Sequence, residues 1–330
     1  MAQIIDAPPP AGSAGPAASP PGMALRTYLF LRVSMVGVIL GLGVSVLAEV
    51  HSSHGCFQRS ISAYYYTSTR AVFVSALVTL GVCMIVLWGK TWVEDGALNL
   101  AGMLAPVVAF VPTSDANFCS VVTATGATIS PPPGQQPDVP TSIINGAQPP
   151  IDNNVSAYFA IILVALIGLV ILAAIPGLSA LIRDGDGVWL TDRSFFIPFG
   201  LAVALWLFGV LMFEKHRETF YTHAHAFSAT TLFLFIVVVV FANAWSKRDD
   251  ARVQTGSART ASRRWMWVYG GVGIAMAVVA VLIWVLGRAN QGNSFGEHWV
   301  LIIEISLISL FAFFWILQTV DRRGDGAPVT

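Results

Sequence analysis

The sequence predicts an all-α fold, a polytopic membrane bundle of eight transmembrane helices with both termini in the cytoplasm. The first observation behind this prediction is composition. The chain has 330 residues, of which 55% are hydrophobic and 11% charged, and its mean hydropathy is +0.70. Soluble proteins carry about 25% charged residues. The shortfall indicates a protein that is largely embedded in lipid.

The second observation is a set of long apolar windows. A bilayer core of about 30 Å needs about 20 apolar residues in a helix. The windows that qualify are 27–50, 70–89, 97–113, 156–182, 195–213, 223–245, 265–287 and 298–319. Lipid offers no partner to an unpaired backbone amide, so each window is predicted to be helical. The third is short, but it lies between turn signals at 94–96 and 112–114.

The third observation is the distribution of positive charge. Thirteen of the 18 lysines and arginines fall on the side of the N-terminus, and the others are Arg59, Arg70, Lys215, Arg217 and Arg288. Cytoplasmic loops carry the excess of basic residues in membrane proteins. This asymmetry predicts that both termini are cytoplasmic.

The segments outside the windows are predicted to lack a core. Residues 1–23 are rich in Pro, Ala and Gly and are expected to be a disordered cytoplasmic tail. The transmembrane domain covers 24–322, and 323–330 form a second cytoplasmic tail. Within the domain, 114–155 is expected to be a flexible outer loop, because it contains a Pro-Pro-Pro run and further Pro and Asn residues.

All six histidines are predicted on the outer side: His51, His54, His216, His223, His225 and His298. Histidine is a common metal ligand, and it titrates near neutral pH. The pair His51 and His54 has a spacing that fits one helical face. Confinement of this residue type to one face indicates an outward-facing polar site.

The last window contains the acid of greatest interest. At about 100° per residue, one stripe holds Glu297, Glu304, Trp315 and Gln318. Glu304 lies about two turns below the outer surface, where an ionisable group is costly. Two interpretations stay open. Glu304 is a ligand, proton relay or substrate contact, or it is a protonated group that hydrogen-bonds a neighbouring helix.

The start of the sixth window supplies candidate metal ligands. His216 and His223 are seven residues apart, as are Glu218 and His225, so each pair shares a helix face if the helix begins early. His223 and His225 point about 200° apart on a helix and would share one ion only on irregular backbone. With His298 they form the candidate set for zinc. The alternative is interfacial capping or hydrogen bonding.

The loop RSISAYYYTSTR, residues 59–70, combines serines, tyrosines and arginines. Its tyrosines are typical of a membrane–water interface. Ser60 and Ser62 would point the same way if the loop is extended, and both are candidate site residues. Arg70 is a candidate to neutralise Glu304 or to bind an anionic lipid head.

Three cysteines are present. Cys56 and Cys119 lie in outer loops, and an oxidising compartment would allow a disulfide between them. Cys83 lies within the second window and is interpreted as a packing residue.

Two stretches carry a resemblance to known proteins. SISAYYYTSTRAVFVSALVTLGV with EDGALNLAGMLAPVVAFVPT, and the ending IEISLISLFAFFWILQT, are similar to uncharacterised actinobacterial multipass membrane proteins. This resemblance implies a multi-pass protein of the bacterial plasma (inner) membrane. A more distant one is to CREST-type membrane hydrolases, zinc-dependent lipid amidases with a serine, an aspartate and three histidines. The chain differs from them in its eight windows and in having no H-x-x-x-H.

Three functional classes fit these features. The chain is a ligand-binding, sensing or scaffolding protein, a proton- or cation-coupled transporter, or a metal-dependent hydrolase of lipid or envelope substrates. No P-loop, H-E-x-x-H, C-x-x-C or G-x-S-x-G motif is present in the sequence. The expected partners are the lipid bilayer and a small-molecule or lipid ligand, and no nucleic acid is expected.

Overall fold

The computed structural model describes residues 23–113, 121–122, 128–129, 141–175, 193–289 and 298–322. These residues form eight α-helices, one 3₁₀ helix and one small antiparallel pair of strands. The α-helices are α1 Met23–Ser52, α2 Arg70–Val86, α3 Trp92–Phe110, α4 Thr141–Ala174, α5 Arg193–Lys215, α6 Arg217–Val253, α7 Gly256–Ala289 and α8 Trp299–Arg322. The 3₁₀ helix is Ser62–Tyr66, and β1 Val121–Val122 pairs with β2 Thr128–Ile129.

The helical membrane bundle predicted from the sequence is confirmed. Seven helices are long and apolar enough to cross a membrane. The remaining helix, α2, is apolar but has only 17 residues, which span about 26 Å. The count of eight spans and the cytoplasmic position of the termini therefore stay predictions.

Helix α4 differs from the prediction, because it begins at Thr141 inside the segment expected to be a flexible loop. Ile151 and Val155, at the end of that segment, are buried in a cluster with Phe213 and Phe220. The predicted tails lie outside the described residues, except Met23 at the start of α1.

Helix α3 occupies the centre of the bundle, and 72% of its apolar window is buried. The Thr91 side chain accepts a hydrogen bond from the Glu94 amide at 3.2 Å and so caps the helix start. The main core cluster joins α3 to α1, α2, α6, α7 and α8. Helices α4 and α5 are peripheral, with 17% and 6% of their windows buried.

Two glycines allow α2 and α3 to approach closely. A Cβ on Gly102 would lie 2.6 Å from the Gly81 carbonyl oxygen and 2.6 Å from Ile85 Cγ1, and a Cβ on Gly81 would lie 2.8 Å from the Gly102 oxygen. Real side chains do not tolerate such distances to backbone atoms. The crossing of the two helices therefore depends on these positions.

We expect Gly102→Ala to lower the free energy of unfolding by about 1–3 kcal/mol, because α2 and α3 must separate to admit the methyl group. Thermal unfolding in detergent micelles measures the change. Gly41→Ala on α1 is the matched control, since Gly41 is helical and a Cβ added there would meet no atom within 4 Å. Equal stability of the two variants would contradict close packing at Gly102.

Candidate functional site

Glu304 of α8 caps the 3₁₀ helix at the end of the bundle where α1 ends and α8 begins. Its Oε2 accepts a hydrogen bond from the Ile61 amide at 2.5 Å, and the Ser62 amide also bonds to the carboxyl group. Ile61 is the N-cap of the 3₁₀ helix and makes no side-chain cap of its own. Glu304 therefore supplies the acceptor that the helix start lacks.

The two predicted serines meet, although the segment is a turn and not an extended strand. Ser60 Oγ lies 3.0 Å from Ser62 Oγ and accepts a hydrogen bond from the Ala63 amide at 3.1 Å. Both serines are buried. Their hydroxyls are thus engaged in stabilising the turn.

The tyrosines of this segment lie inside the protein and not at a lipid interface as predicted. Tyr64, Tyr65 and Tyr66 are 0%, 2% and 5% exposed and pack in a cluster with Leu42 and Val46 of α1. Burial raises the pKa of all three phenols. They therefore stay protonated. The Tyr66 hydroxyl donates to the Thr113 carbonyl at 2.9 Å, whereas the Tyr64 and Tyr65 hydroxyls accept hydrogen bonds from the Gln58 amide and from Arg70.

Arg70 does not pair with Glu304, contrary to one of the two predictions for it. Its Nη2 donates to the Tyr65 hydroxyl at 2.6 Å, and its guanidinium carbon lies 4.2 Å from the centre of that ring. The two charges were predicted to pair because both fall near the same end of the bundle. The backbone amides of Ile61 and Ser62 take the position next to the Glu304 carboxylate instead.

A small cavity of about 70 Å³ lies beneath this segment. Ser62 and Glu304 contribute its polar groups. Its other lining residues are apolar and come from several helices, among them Leu42, Phe73 and Phe311. The cavity offers an ion one carboxyl group, that of Glu304, and this group already accepts hydrogen bonds from two amides.

The candidate metal ligands do not converge. Helix α6 is regular from Arg217 onward, so His223 and His225 point in different directions. His225 is buried and its Nδ1–H donates to the Val111 carbonyl at 2.7 Å, whereas His223 lines a separate cleft. No group of three or more His, Cys, Asp or Glu side chains that could hold a metal ion is found in the described part of the chain.

The other candidates are also dispersed. His216 is the exposed N-cap of α6, Glu218 is exposed in the first turn, and His298 precedes α8. Glu297 lies outside the described residues. His51 and His54 do not share a helical face, because α1 ends at Ser52 and His54 has a φ of 59°.

Of the three cysteines, Cys83 is a free buried thiol, in agreement with a packing role. Cys56 is disulfide-bonded. Its predicted partner Cys119 lies outside the described residues, so the pairing stays a prediction.

A cleft larger than the Glu304 cavity lies between α3, α4, α5 and α6 and has a volume of about 170 Å³. Aromatic and aliphatic side chains form most of its wall, including Phe159, Trp206, Phe220 and Phe227. Two polar atoms of the wall are satisfied within the protein. The Tyr158 hydroxyl donates to the Met103 carbonyl at 2.6 Å, and Trp206 Nε1 donates to the Phe159 carbonyl at 2.9 Å.

Polar side chains stand at the end of this cleft that lies near the start of α6. Thr219 and His223 line it and are exposed one turn apart on α6. Next to them Asp152 of α4 accepts hydrogen bonds from Tyr221 and, at 3.3 Å, from Arg217. These contacts connect α4 to α6 at this end of the cleft.

A buried ionic cluster, which was not predicted from the sequence, lies at the opposite end of the bundle. Arg322 Nη2 is 3.1 and 3.2 Å from the two carboxylate oxygens of Glu94 and donates to Asn243 Oδ1 at 2.7 Å. Gln318 Nε2 donates to Glu94 Oε1 at 3.0 Å and to Asn243 Oδ1 at 2.8 Å. The cluster therefore joins α3, α6 and α8.

Helix α1 reaches the same cluster through Tyr28 and Arg32. The Tyr28 hydroxyl accepts hydrogen bonds from Arg32 at 2.5 Å and from Arg322 at 3.1 Å, and it donates to the Trp88 carbonyl at 2.9 Å. Arg32 is 1% exposed, and its guanidinium lies 4.1 Å from the centre of the Tyr28 ring. One signal for this cluster was present in the sequence, namely an arginine inside the first apolar window.

Replacement of Glu304 separates its two interpretations. We expect Glu304→Ala to lower the free energy of unfolding by about 2–4 kcal/mol, because two buried amides lose their acceptor. Glu304→Gln keeps a carbonyl oxygen at this place and should cost about 1 kcal/mol. Chemical denaturation in mixed micelles measures both values, with the exposed Glu218→Ala as control. Equal losses of unfolding free energy in Glu304→Gln and Glu304→Ala would show that the carboxyl group has a role other than accepting these hydrogen bonds.

Replacement of Glu94 tests the ionic cluster. We expect Glu94→Ala to lower the free energy of unfolding by about 3–5 kcal/mol, because it leaves Arg322 buried without an opposite charge. Asp250→Asn is the control, since it breaks the more exposed pair with Lys90 and should cost less than about 1 kcal/mol. Both variants are measured in the same micelles. If Glu94→Ala lowers the free energy of unfolding by as little as Asp250→Asn does, the cluster is not a stabilising contact.

Comparison with known proteins assigns neither a family nor a function to this chain. The sequence matches no protein-family model, no curated protein and no solved structure.

Proposed function

We propose that this chain is an integral membrane protein that binds an apolar, lipid-like ligand in the cleft between α3, α4, α5 and α6. The observation that carries the proposal is the arrangement of polarity along the cleft. The wall is mostly apolar and aromatic, with Thr219 and His223 exposed at the end near the start of α6 and the buried Ser228 at the other end. Ligand sites are characteristically apolar with a few polar groups that fix orientation.

The dimensions of the cleft fit an amphiphilic molecule. Its α6 wall runs from Thr219 to Ser228, which corresponds to about 14 Å along the helix. An acyl or isoprenoid chain lying along this wall would contact Phe220 and Phe227 and would leave its polar head beside Thr219 and His223. Because the Tyr158 hydroxyl and Trp206 Nε1 are already bonded to backbone carbonyls, an apolar chain would leave neither of these groups unsatisfied.

The two other functional classes receive less support. A proton- or cation-coupled transporter would use Glu304, yet this carboxyl group is engaged by the Ile61 and Ser62 amides above a cavity with mostly apolar walls. A zinc-dependent hydrolase would need histidines that converge, and His223 and His225 diverge along α6. Ligand binding without chemistry is therefore the function we propose.

The placement of the protein follows from its charges. We propose the plasma membrane, with both ends of the chain in the cytoplasm and the cleft entrance facing outward. The support is the excess of basic residues at the end of the bundle where α6 joins α7. The resemblance to actinobacterial multipass proteins is in keeping with a plasma-membrane location.

Photo-crosslinking with a diazirine analogue of palmitic acid tests the cleft. We expect saturable labelling of purified protein in micelles, competed by unlabelled palmitic acid and located on peptides of α5 and α6. Ala224 lines the cleft, so Ala224→Phe fills it and should weaken saturable labelling about tenfold.

Ala226→Phe is the matched control, because Ala226 is exposed on the same helix and does not line the cleft. Its labelling should equal that of the wild type. Equal labelling of all three proteins, or labelling that does not saturate, would overturn the proposal in favour of ordinary contact with bilayer lipid.

A further inference from the structure

Helices α6 and α7 extend past the apolar part of the bundle as an antiparallel hairpin. They have 37 and 34 residues, whereas about 20 cross a bilayer core. Lys247 of α6 and Tyr269 of α7 both bind the Asp321 carboxylate, at 2.8 and 2.9 Å, so they lie at the same height. Beyond that height, Gln254 and Ser262 remain in contact at 2.7 Å.

The hairpin is strongly basic. Between residues 246 and 264 the sequence has six basic and two acidic residues. The two acids are already paired, Asp249 with Arg252 and Asp250 with Lys90. Arg248 and Arg264 are exposed and have no acidic partner among the described residues.

Both of these arginines stand beside tryptophan rings. The Arg248 guanidinium lies 4.8 Å from the centre of the Trp245 ring, and that of Arg264 lies 6.0 Å from Trp265. Of these two rings, Trp245 is 61% exposed and Trp265 is half-buried, while Trp267, three residues from Arg264 on α7, is 70% exposed. Exposed tryptophans close to arginines in the sequence are typical of the depth at which a membrane changes from acyl chains to head groups.

The heights along the hairpin agree with this depth. Arg248 is one residue past Lys247, and Arg264 is five residues past Tyr269 towards the turn, so they lie about 2 and 8 Å beyond the Asp321 contacts. The head-group layer of one leaflet is about 5–8 Å thick. Arg259, a further five residues along α7, lies about 8 Å beyond Arg264 and clear of this layer.

We infer that Arg248 and Arg264 bind the phosphate of anionic phospholipids at this end of the bundle, with Trp245 and Trp267 against the upper part of the acyl chains. The guanidinium group suits phosphate because its N–H donors match two phosphate oxygens. This site is separate from the cleft on α3 to α6 and takes lipid from the opposite leaflet. The class of ligand is a phosphodiester with net negative charge.

Native mass spectrometry with equal amounts of phosphatidylglycerol and phosphatidylcholine tests this site. We expect the wild type to retain phosphatidylglycerol preferentially. Arg264→Gln should weaken that preference about fivefold and Arg248→Gln/Arg264→Gln about 30-fold. Arg259→Gln removes the same charge from the same helix and should leave the preference unchanged.

Three results would overturn the inference. They are no preference for phosphatidylglycerol in the wild type, an equal loss in Arg259→Gln, and retention of inorganic phosphate without retention of phosphatidylglycerol when both are supplied. The first needs no variant to fold, and the last would show that the arginines bind free phosphate and not a lipid. Loss of the preference for phosphatidylglycerol in the double variant Arg248→Lys/Arg264→Lys, with the fold retained, would support the inference. It would show that binding depends on the geometry of the guanidinium groups and not on their charge alone.

Discussion

The bundle depends on one buried ion pair, that between Glu94 and Arg322. These residues are 228 positions apart in the chain, yet their contact brings together the beginning of α3 and the end of α8. Asn243 and Gln318 complete the hydrogen bonding of the carboxylate, so that the charges are both paired and solvated by the protein itself. A buried pair of this kind contributes little net stability, but the loss of either partner is costly. Its effect is to specify which helices are neighbours.

Carboxylates act in the same way at the other end. Glu304 holds the start of the 3₁₀ helix, and Glu49 of α1 accepts a hydrogen bond from Ser68. The Leu301 amide also donates to the Arg59 carbonyl at 3.0 Å. The segment between α1 and α2 is thus fastened to both α1 and α8. Glu304, which in isolation resembles part of a binding site, serves here as the acceptor for two buried backbone amides.

Hydropathy predicted the helices well. An unpaired backbone amide is costly in lipid, so an apolar window must be helical whatever the rest of the chain does. The burial of Ile151 on α4 was not predicted, since it depends on Phe213 and Phe220, which are distant in sequence. For Glu304 the sequence left two interpretations open, and the partners of its carboxyl group, the Ile61 and Ser62 amides, could not be read from the helical stripe. By contrast, the partners of Arg70 and His225 lie on other elements, Tyr65 in the 3₁₀ helix and Val111 after α3. Periodicity carries no information about such pairings.

The short length of α2 has a consequence for the membrane around it. Its 17 residues span about 26 Å, several ångströms less than an average hydrocarbon core. Val82 and Val86 of this helix are 55% and 51% exposed. In the predicted eight-span arrangement, lipid would contact α2 directly, and the bilayer would have to become thinner along that side or the helix ends would have to move. Either change costs free energy for each ångström of mismatch, so a change in bilayer thickness would act more strongly on the α2 side of the bundle than on its other sides.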